Sequence, residues 1–202
     1  MIHRINRILF LSLFFVFSSR VCSQTINNVS VNGNKNFTES NYLDWIGVDT
    51  GTKIFKGIKD SIQSRIKHNL ADEGYFHSKI NSLDILQTAD SQKVNLKITL
   101  SEGEPTFVKN IFITNVDSTE AKALNNKFDF ILGSIFNRFQ IEAVIGEILT
   151  DYENHSFPFS IFKTESVYFY DDSSGGSHYA DIYFSIEKGP PSRIDKIIVT
   201  GN

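Results

Sequence analysis

The chain has 202 residues, 41% hydrophobic and 21% charged, with a formal net charge of −3. That balance gives no clustered positive field of the kind needed to replace counterions on nucleic acid. Its single cysteine, Cys22, excludes an intrachain disulfide framework, so apolar burial must carry stability.

The first element is a leader. Arg4 and Arg7 precede an apolar run over residues 8–17 broken only by Ser12, and Val21-Cys22-Ser23 offers small residues for cleavage before Gln24. The run is about ten residues, half of what a membrane-spanning helix needs, so residues 1–23 are read as a secretory signal peptide and not an anchor. Arg20 and Val21 next to Cys22 disfavour lipoprotein processing. Removing residues 1–23 takes away three arginines and no acid, leaving 17 basic (20 − 3) and 23 acidic side chains, a net charge of −6 and no cysteine.

A short alternating strand is predicted over 26–31, closed by the turn Asn32-Gly33-Asn34. Thr38-Glu39-Ser40 then caps a short helix carrying Tyr42, Leu43, Trp45 and Ile46. A longer helix is predicted over 56–73, because Ile58, Ile62, Ile66 and Leu70 recur every four residues, and Gly74 ends it. Residues 76–86 are expected to be a strand. Val94, Leu96, Ile98 and Leu100 alternate with polar residues, which predicts a strand with one buried and one wet face.

The same order then recurs. A strand is predicted over 108–113, a short helix starting at Ser118 or Thr119, and a long helix over 138–153 with Ile141, Val144, Ile145, Ile148 and Tyr152 on one face. Strands are predicted over 159–170 and through Ala180, Ile182, Phe184 and Ile186, with a polar loop at 171–177. The strand exits make the duplication explicit: Gly103-Glu104-Pro105 and Gly189-Pro190-Pro191 lie 86 residues apart (189 − 103), each followed by an apolar trio spaced i, i+3, i+5. The trio after Gly189, at Ile194, Ile197 and Val199, predicts the first strand of another, incomplete repeat, and a weaker third copy stands upstream at Ile26, Val29 and Val31.

Three segments carry a resemblance to the POTRA repeats of the BamA/TamA superfamily of outer-membrane assembly proteins. They are Val31-Asn32-Gly33-Asn34 with Val199-Thr200-Gly201-Asn202, then Leu70-Ala71-Asp72-Glu73-Gly74-Tyr75-Phe76, then the exits Glu102-Gly103-Glu104-Pro105 and Glu187-Lys188-Gly189-Pro190. The second repeat departs from the pattern: Ser156-Phe157-Pro158 stands where Gly-Tyr is usual. The resemblance implies an α+β fold of tandem β-α-α-β-β domains, each a three-stranded mixed sheet with two helices packed on one face. It divides the chain into a signal peptide (1–23), a first POTRA domain (24–105), a second (106–191) and the start of a third (192–202). Gly33, Asn34, Gly74, Tyr75, Gly103, Pro105, Pro158, Gly189 and Gly201 are the structural motif residues.

The family implies a periplasmic module at the outer membrane of a Gram-negative bacterium. It would bind unfolded β-barrel precursors or assembly-complex partners, reaching the membrane only through a C-terminal barrel not in this sequence. The expected mode is strand addition to a sheet edge. The edge strands implied are 76–86 and 159–170, the latter with Phe162, Val167, Tyr168, Phe169 and Tyr170 as candidate client-binding residues. Two arrangements are open for it: aromatics presented on both faces, or Val167 and Phe169 toward the helices with Tyr168 and Tyr170 shielding the edge. A two-partner secretion transporter and a division or envelope scaffold are the alternative functions.

No nucleophile elbow, phosphate loop or paired-acid motif occurs, so no enzyme activity and no cofactor are expected. The polar loop Asp171-Asp172-Ser173-Ser174-Gly175-Gly176 lacks the ligand pattern of a calcium loop. His3, His68, His77, His155 and His178 stand far apart without ligand spacing, so isolated surface histidines and no metal site are expected.

Overall fold

The computed structural model describes residues 24–172, 176–193, 195, 196, 198 and 201. The leader expected at 1–23 lies outside the described residues, as does part of the strand expected at 192–202. The first domain contains β1 (Thr25–Asn32), α1 (Glu39–Ile46), α2 (Ile58–Asp72), β2 (Lys79–Gln87) and β3 (Lys93–Ser101). The second repeats the order with β4 (Thr106–Thr114), α3 (Ser118–Lys127), α4 (Arg138–Asn154), β5 (Ile161–Asp171) and β6 (His178–Glu187).

The last strand of each domain takes the centre of its sheet, in the orders β1-β3-β2 and β4-β6-β5. β1 and β4 run parallel to it, β2 and β5 antiparallel. A parallel pair needs a long crossover, and here the crossover delivers both helices to one face. On β3, Val94, Leu96, Ile98 and Leu100 are all buried, and Ile58, Ile62, Ile66 and Leu70 of α2 meet them. Ala180, Ile182, Phe184 and Ile186 of β6 are likewise buried, and Ile182, Phe184 and Ile186 share a core with Ile141, Val144, Ile148 and Tyr152 of α4. The two cores are separate clusters, one per domain.

The short helix α3 starts at Ser118, as expected, and Asp117 caps it by accepting from the Thr119 and Glu120 amides at 2.9 and 3.0 Å. One local difference from the sequence reading has a physical cause. Strands β2 and β5 begin two to three residues later than their apolar residues imply, at Lys79 and Ile161. After each long helix the chain first reverses. Tyr75 N–H donates to Leu70 O and Phe157 N–H to Tyr152 O, at 2.7 and 2.9 Å, and a turn follows before extension. Phe76 and His77 therefore lie in a turn and not in the sheet.

Every outer strand carries a bulge, between Ile26 and Asn28, Ile80 and Ser82, Val108 and Asn110, and Thr164 and Ser166. The extra residue reverses the in–out alternation beyond it. Phe162 and Val167, of opposite parity in sequence, consequently both pack against the second core.

Glu102, just beyond β3, is buried and organises the first domain's loops. Its carboxylate accepts from the Lys35 and Asn36 amides at 3.1 and 2.7 Å, from Asn36 Nδ2 at 2.8 Å, from the Phe37 amide at 3.4 Å and from the buried Tyr42 hydroxyl at 2.8 Å. Burial pushes its pKa up, but the hydrogen bonds from Asn36, Tyr42, Lys35 and Phe37 outweigh burial and hold it below the usual carboxylate range.

Trp45 is the only tryptophan and reports on the first domain alone. Ile66→Ala should destabilise that domain by about 2–5 kcal/mol, seen as an earlier Trp45 fluorescence transition in urea while second-domain NMR signals persist. Because Glu102 has a depressed folded pKa, its contribution is present above the unfolded carboxylate pKa and is lost as pH falls through the folded value. The Trp45 transition should therefore weaken on acidification below the ordinary carboxylate range, and Glu102→Gln should flatten that dependence. An unchanged acid profile in the variant would contradict the assignment.

Candidate functional site

A strand can be added only where backbone groups are free, and the four outer edges differ. The edge of β1 is partly occupied: Ile26 N–H donates to Thr52 O at 2.9 Å and Ile54 N–H to Gln24 O at 2.8 Å, with a bridge between Thr25 and Lys53. The edge of β4 is covered in the same way, by Val108 N–H to Ser134 O at 2.9 Å, Phe136 N–H to Thr106 O at 2.8 Å and a bridge between Phe107 and Ile135. Among the described residues, β2 and β5 have no strand on their outer sides. β5 is the longer, at 11 residues against 9.

The predicted residues of β5 separate into three surroundings. Phe162 and Val167 pack against the second core. Tyr168 and Tyr170 stand on the open face of the sheet, their rings 5.9 Å apart, and Tyr170 lies 5.9 Å from Tyr179. Burial and then the Asp181 carboxylate push the Tyr170 phenol above its ordinary pKa, and its hydroxyl donates to Asp181 Oδ1 at 3.2 Å. The row continues with Phe107 beside Tyr179 and with Phe112 stacked on Tyr183 at 4.7 Å. Tyr168 is 63% exposed, so this aromatic face is reachable from the free edge. The sequence missed the platform, because its members come from three strands whose register is a tertiary property.

Phe169 shares the helix-side face of Val167, beyond the edge of the second core. Its ring meets Phe76 at 4.5 Å, and Phe76 meets Phe136 at 5.2 Å, so it helps join the two domains. The joint is built at the end of α2. Gly74 has φ +87°, and its carbonyl accepts from Thr106 N–H at 2.9 Å. A Cβ there would lie 2.5 Å from Phe136 O, so only glycine admits the second domain's backbone. Asp72 pairs with Arg138 at 3.2 Å and Glu73 accepts from Asn137 Nδ2 at 2.7 Å, fixing the start of α4 against the end of α2.

The other motif residues are structural. Gly33, at φ +90°, would place a Cβ 2.0 Å from Leu100 O, and Asn34 Nδ2 donates to Phe37 O at 2.9 Å. Tyr75 is buried, 5.2 Å from the Phe37 ring. Gly103 and Gly189 turn against the carbonyls of His77 and Phe159, with half-buried Pro105 leading into β4. Pro158 is exposed, and Gly201 has φ +97° with neighbours outside the described residues. Ser156 adopts φ +75°, and its carbonyl accepts from Ser192 N–H at 2.8 Å, reproducing the Gly74–Thr106 bond without a glycine.

One expectation is corrected. His77 and His178 are not isolated: their rings stack at 3.8 Å across the joint, with Asp171 beside them. The turn after α2 and the start of β6 converge there, which spacing in the chain could not reveal.

Residues 24–103 match the POTRA family model, described as a surface antigen variable number repeat. The match covers the first domain. The second repeats its element order, sheet topology and bulge positions. Among solved structures the tandem pair shares the fold of BamA POTRA3-5 from Haemophilus influenzae, with 16% identity over 88% of this chain and 73% of that one and a TM-score of 0.52. BamA from Haemophilus ducreyi lacking POTRA domains 1-3 aligns at 17% identity, 81% coverage and a TM-score of 0.47, and this chain spans 29% of its length. POTRA1-2 of the periplasmic domain of Omp85 from Anabaena aligns at 14% identity over 84% of this chain and 99% of that one, with a TM-score of 0.43. No curated protein is detectably similar in sequence. Among the described residues no helix is long and apolar enough to cross a membrane.

Gly74→Ala should leave both domain cores folded and disorder their relative orientation. The left-handed backbone and the clash with Phe136 O together cost about 1–3 kcal/mol at the joint. Residual dipolar couplings should then fit each domain separately but no longer share one alignment frame. Retention of one frame would contradict this role for Gly74.

Proposed function

We propose that the chain is a periplasmic interaction module of an outer-membrane protein assembly factor. It binds extended β-barrel precursors or complex partners by strand addition to β5. The observation that carries this reading is the free outer edge of β5 beside the aromatic face of Tyr168, Tyr170 and Tyr179. Main-chain hydrogen bonds supply affinity with little demand on client sequence, and the tyrosines accept alternate side chains of the added strand. The mature chain's net charge of −6 fits a protein partner better than a nucleic acid. Binding, not catalysis, is the activity proposed.

Successive N–H groups of a strand point to opposite sides, so one of Tyr168 and Phe169 directs its N–H away from β6. Proline there removes a donor. An extended peptide from a barrel strand should bind one of Tyr168→Pro and Phe169→Pro about tenfold more weakly than the parent, while alanine at the same position does less. In the unsubstituted protein, the same peptide should slow amide exchange along β5. Unaltered exchange on β5, or unchanged affinity in both folded proline variants, would remove this edge from the mechanism.

A further inference from the structure

Three side chains distant in sequence meet where the two domains join. His77 sits in the turn between α2 and β2, Asp171 ends β5 and His178 opens β6. Asp171 and His178 are partners on the last rung of the β5–β6 ladder, with His178 Nδ1 2.6 Å from Asp171 Oδ1. The His77 ring lies on His178 at 3.8 Å with 22° between their planes. One ligand atom from each of the three lies within 4.8 Å of the others.

Two imidazoles and one carboxylate form a donor set for a borderline-soft divalent cation. Calcium and magnesium favour all-oxygen sites, whereas zinc takes His nitrogen and carboxylate oxygen at about 2.0–2.2 Å. Tetrahedral ligands at that range stand roughly 3.3–3.5 Å apart, so the widest separation must close by up to about 1.5 Å while the hydrogen-bonded Asp171–His178 pair opens by about 0.8 Å. His77 and Asp171 are exposed and His178 half-buried, which leaves their side-chain torsions free to make that adjustment. The carboxylate offsets the charge of the ion, and a fourth position stays open to water.

We propose that His77, Asp171 and His178 form a zinc site that bridges the two domains. One ligand comes from the first domain and two from the second, so the ion acts across the joint. Its binding fixes the angle between the domains, which the Thr106–Gly74 hydrogen bond and the Phe76–Phe136–Phe169 cluster set without it. That angle determines how the free edges of β2 and β5 are displayed relative to one another.

The test is titration of the metal-stripped two-domain chain with zinc chloride by calorimetry, with no client present, so its outcome is independent of strand addition. One saturable site is expected. His77→Gln and His178→Gln should each weaken it about tenfold or more. His68→Gln should not, although His68 lies 3.4 Å from Asp72 and offers the rival two-residue site. His155→Gln should also leave it intact. Trp45 fluorescence and the second-domain NMR spectrum confirm folding of each variant. Zinc should also narrow the spread of interdomain orientations seen in residual dipolar couplings, reversibly with a chelator. Absence of saturable binding, or binding that survives His77→Gln, would overturn the proposal.

Discussion

The arrangement of this molecule depends on one carbonyl group. Gly74 ends α2 in the left-handed conformation and turns its C=O toward the Thr106 amide. That orientation does three things at once. It seats Tyr75 in the first core, it starts β4 at a fixed place, and it lets the Phe136 backbone approach where a Cβ would stand. The Asp72–Arg138 pair, the Glu73–Asn137 hydrogen bond and the phenylalanine cluster then lock a placement that the backbone has already chosen. Ser156 shows that the geometry outranks the residue: the second domain keeps the turn and the acceptor carbonyl even with a side chain at φ +75°.

The two domains share topology but not polar design. In the first, Glu102 gathers the amides of residues 35–37 and the Tyr42 hydroxyl into one buried network. The position 86 residues later is Lys188, a charge of opposite sign. There Lys188 pairs with Glu120 at 2.5 Å, and Glu120 also accepts from the Tyr152 hydroxyl at 2.6 Å. Each network ties the end of the central strand to a helix, the first through a buried carboxylate and the second through a partly exposed ion pair.

Strand addition draws on the same economy of edges. β1 and β4 give their outer hydrogen bonds to the segments that lead into the long helices, which protects them from unwanted pairing. Among the described residues, β2 and β5 have no strand on their outer sides. On β5 the bulge near Glu165 rotates the second half of the strand, so that tyrosines, not core residues, border the open edge. The same rotation aims Phe169 and Asp171 at the first domain, and the edge is thereby linked to the joint.

The sequence by itself determined the elements and their duplication. Alternation at Val94, Leu96, Ile98 and Leu100 and the four-residue spacing of Ile58, Ile62, Ile66 and Leu70 are direct images of one-sided burial, because strand and helix periods differ. The glycine positions were legible for a similar reason, since positive φ at Gly33 and Gly74 excludes almost every other residue. Only the tertiary structure decided what β5 presents, because a single inserted residue reverses side-chain parity and leaves no periodic signature. It alone also brought His77 to His178, whose contact depends on the angle between two separately cored domains and therefore on packing that no local pattern encodes.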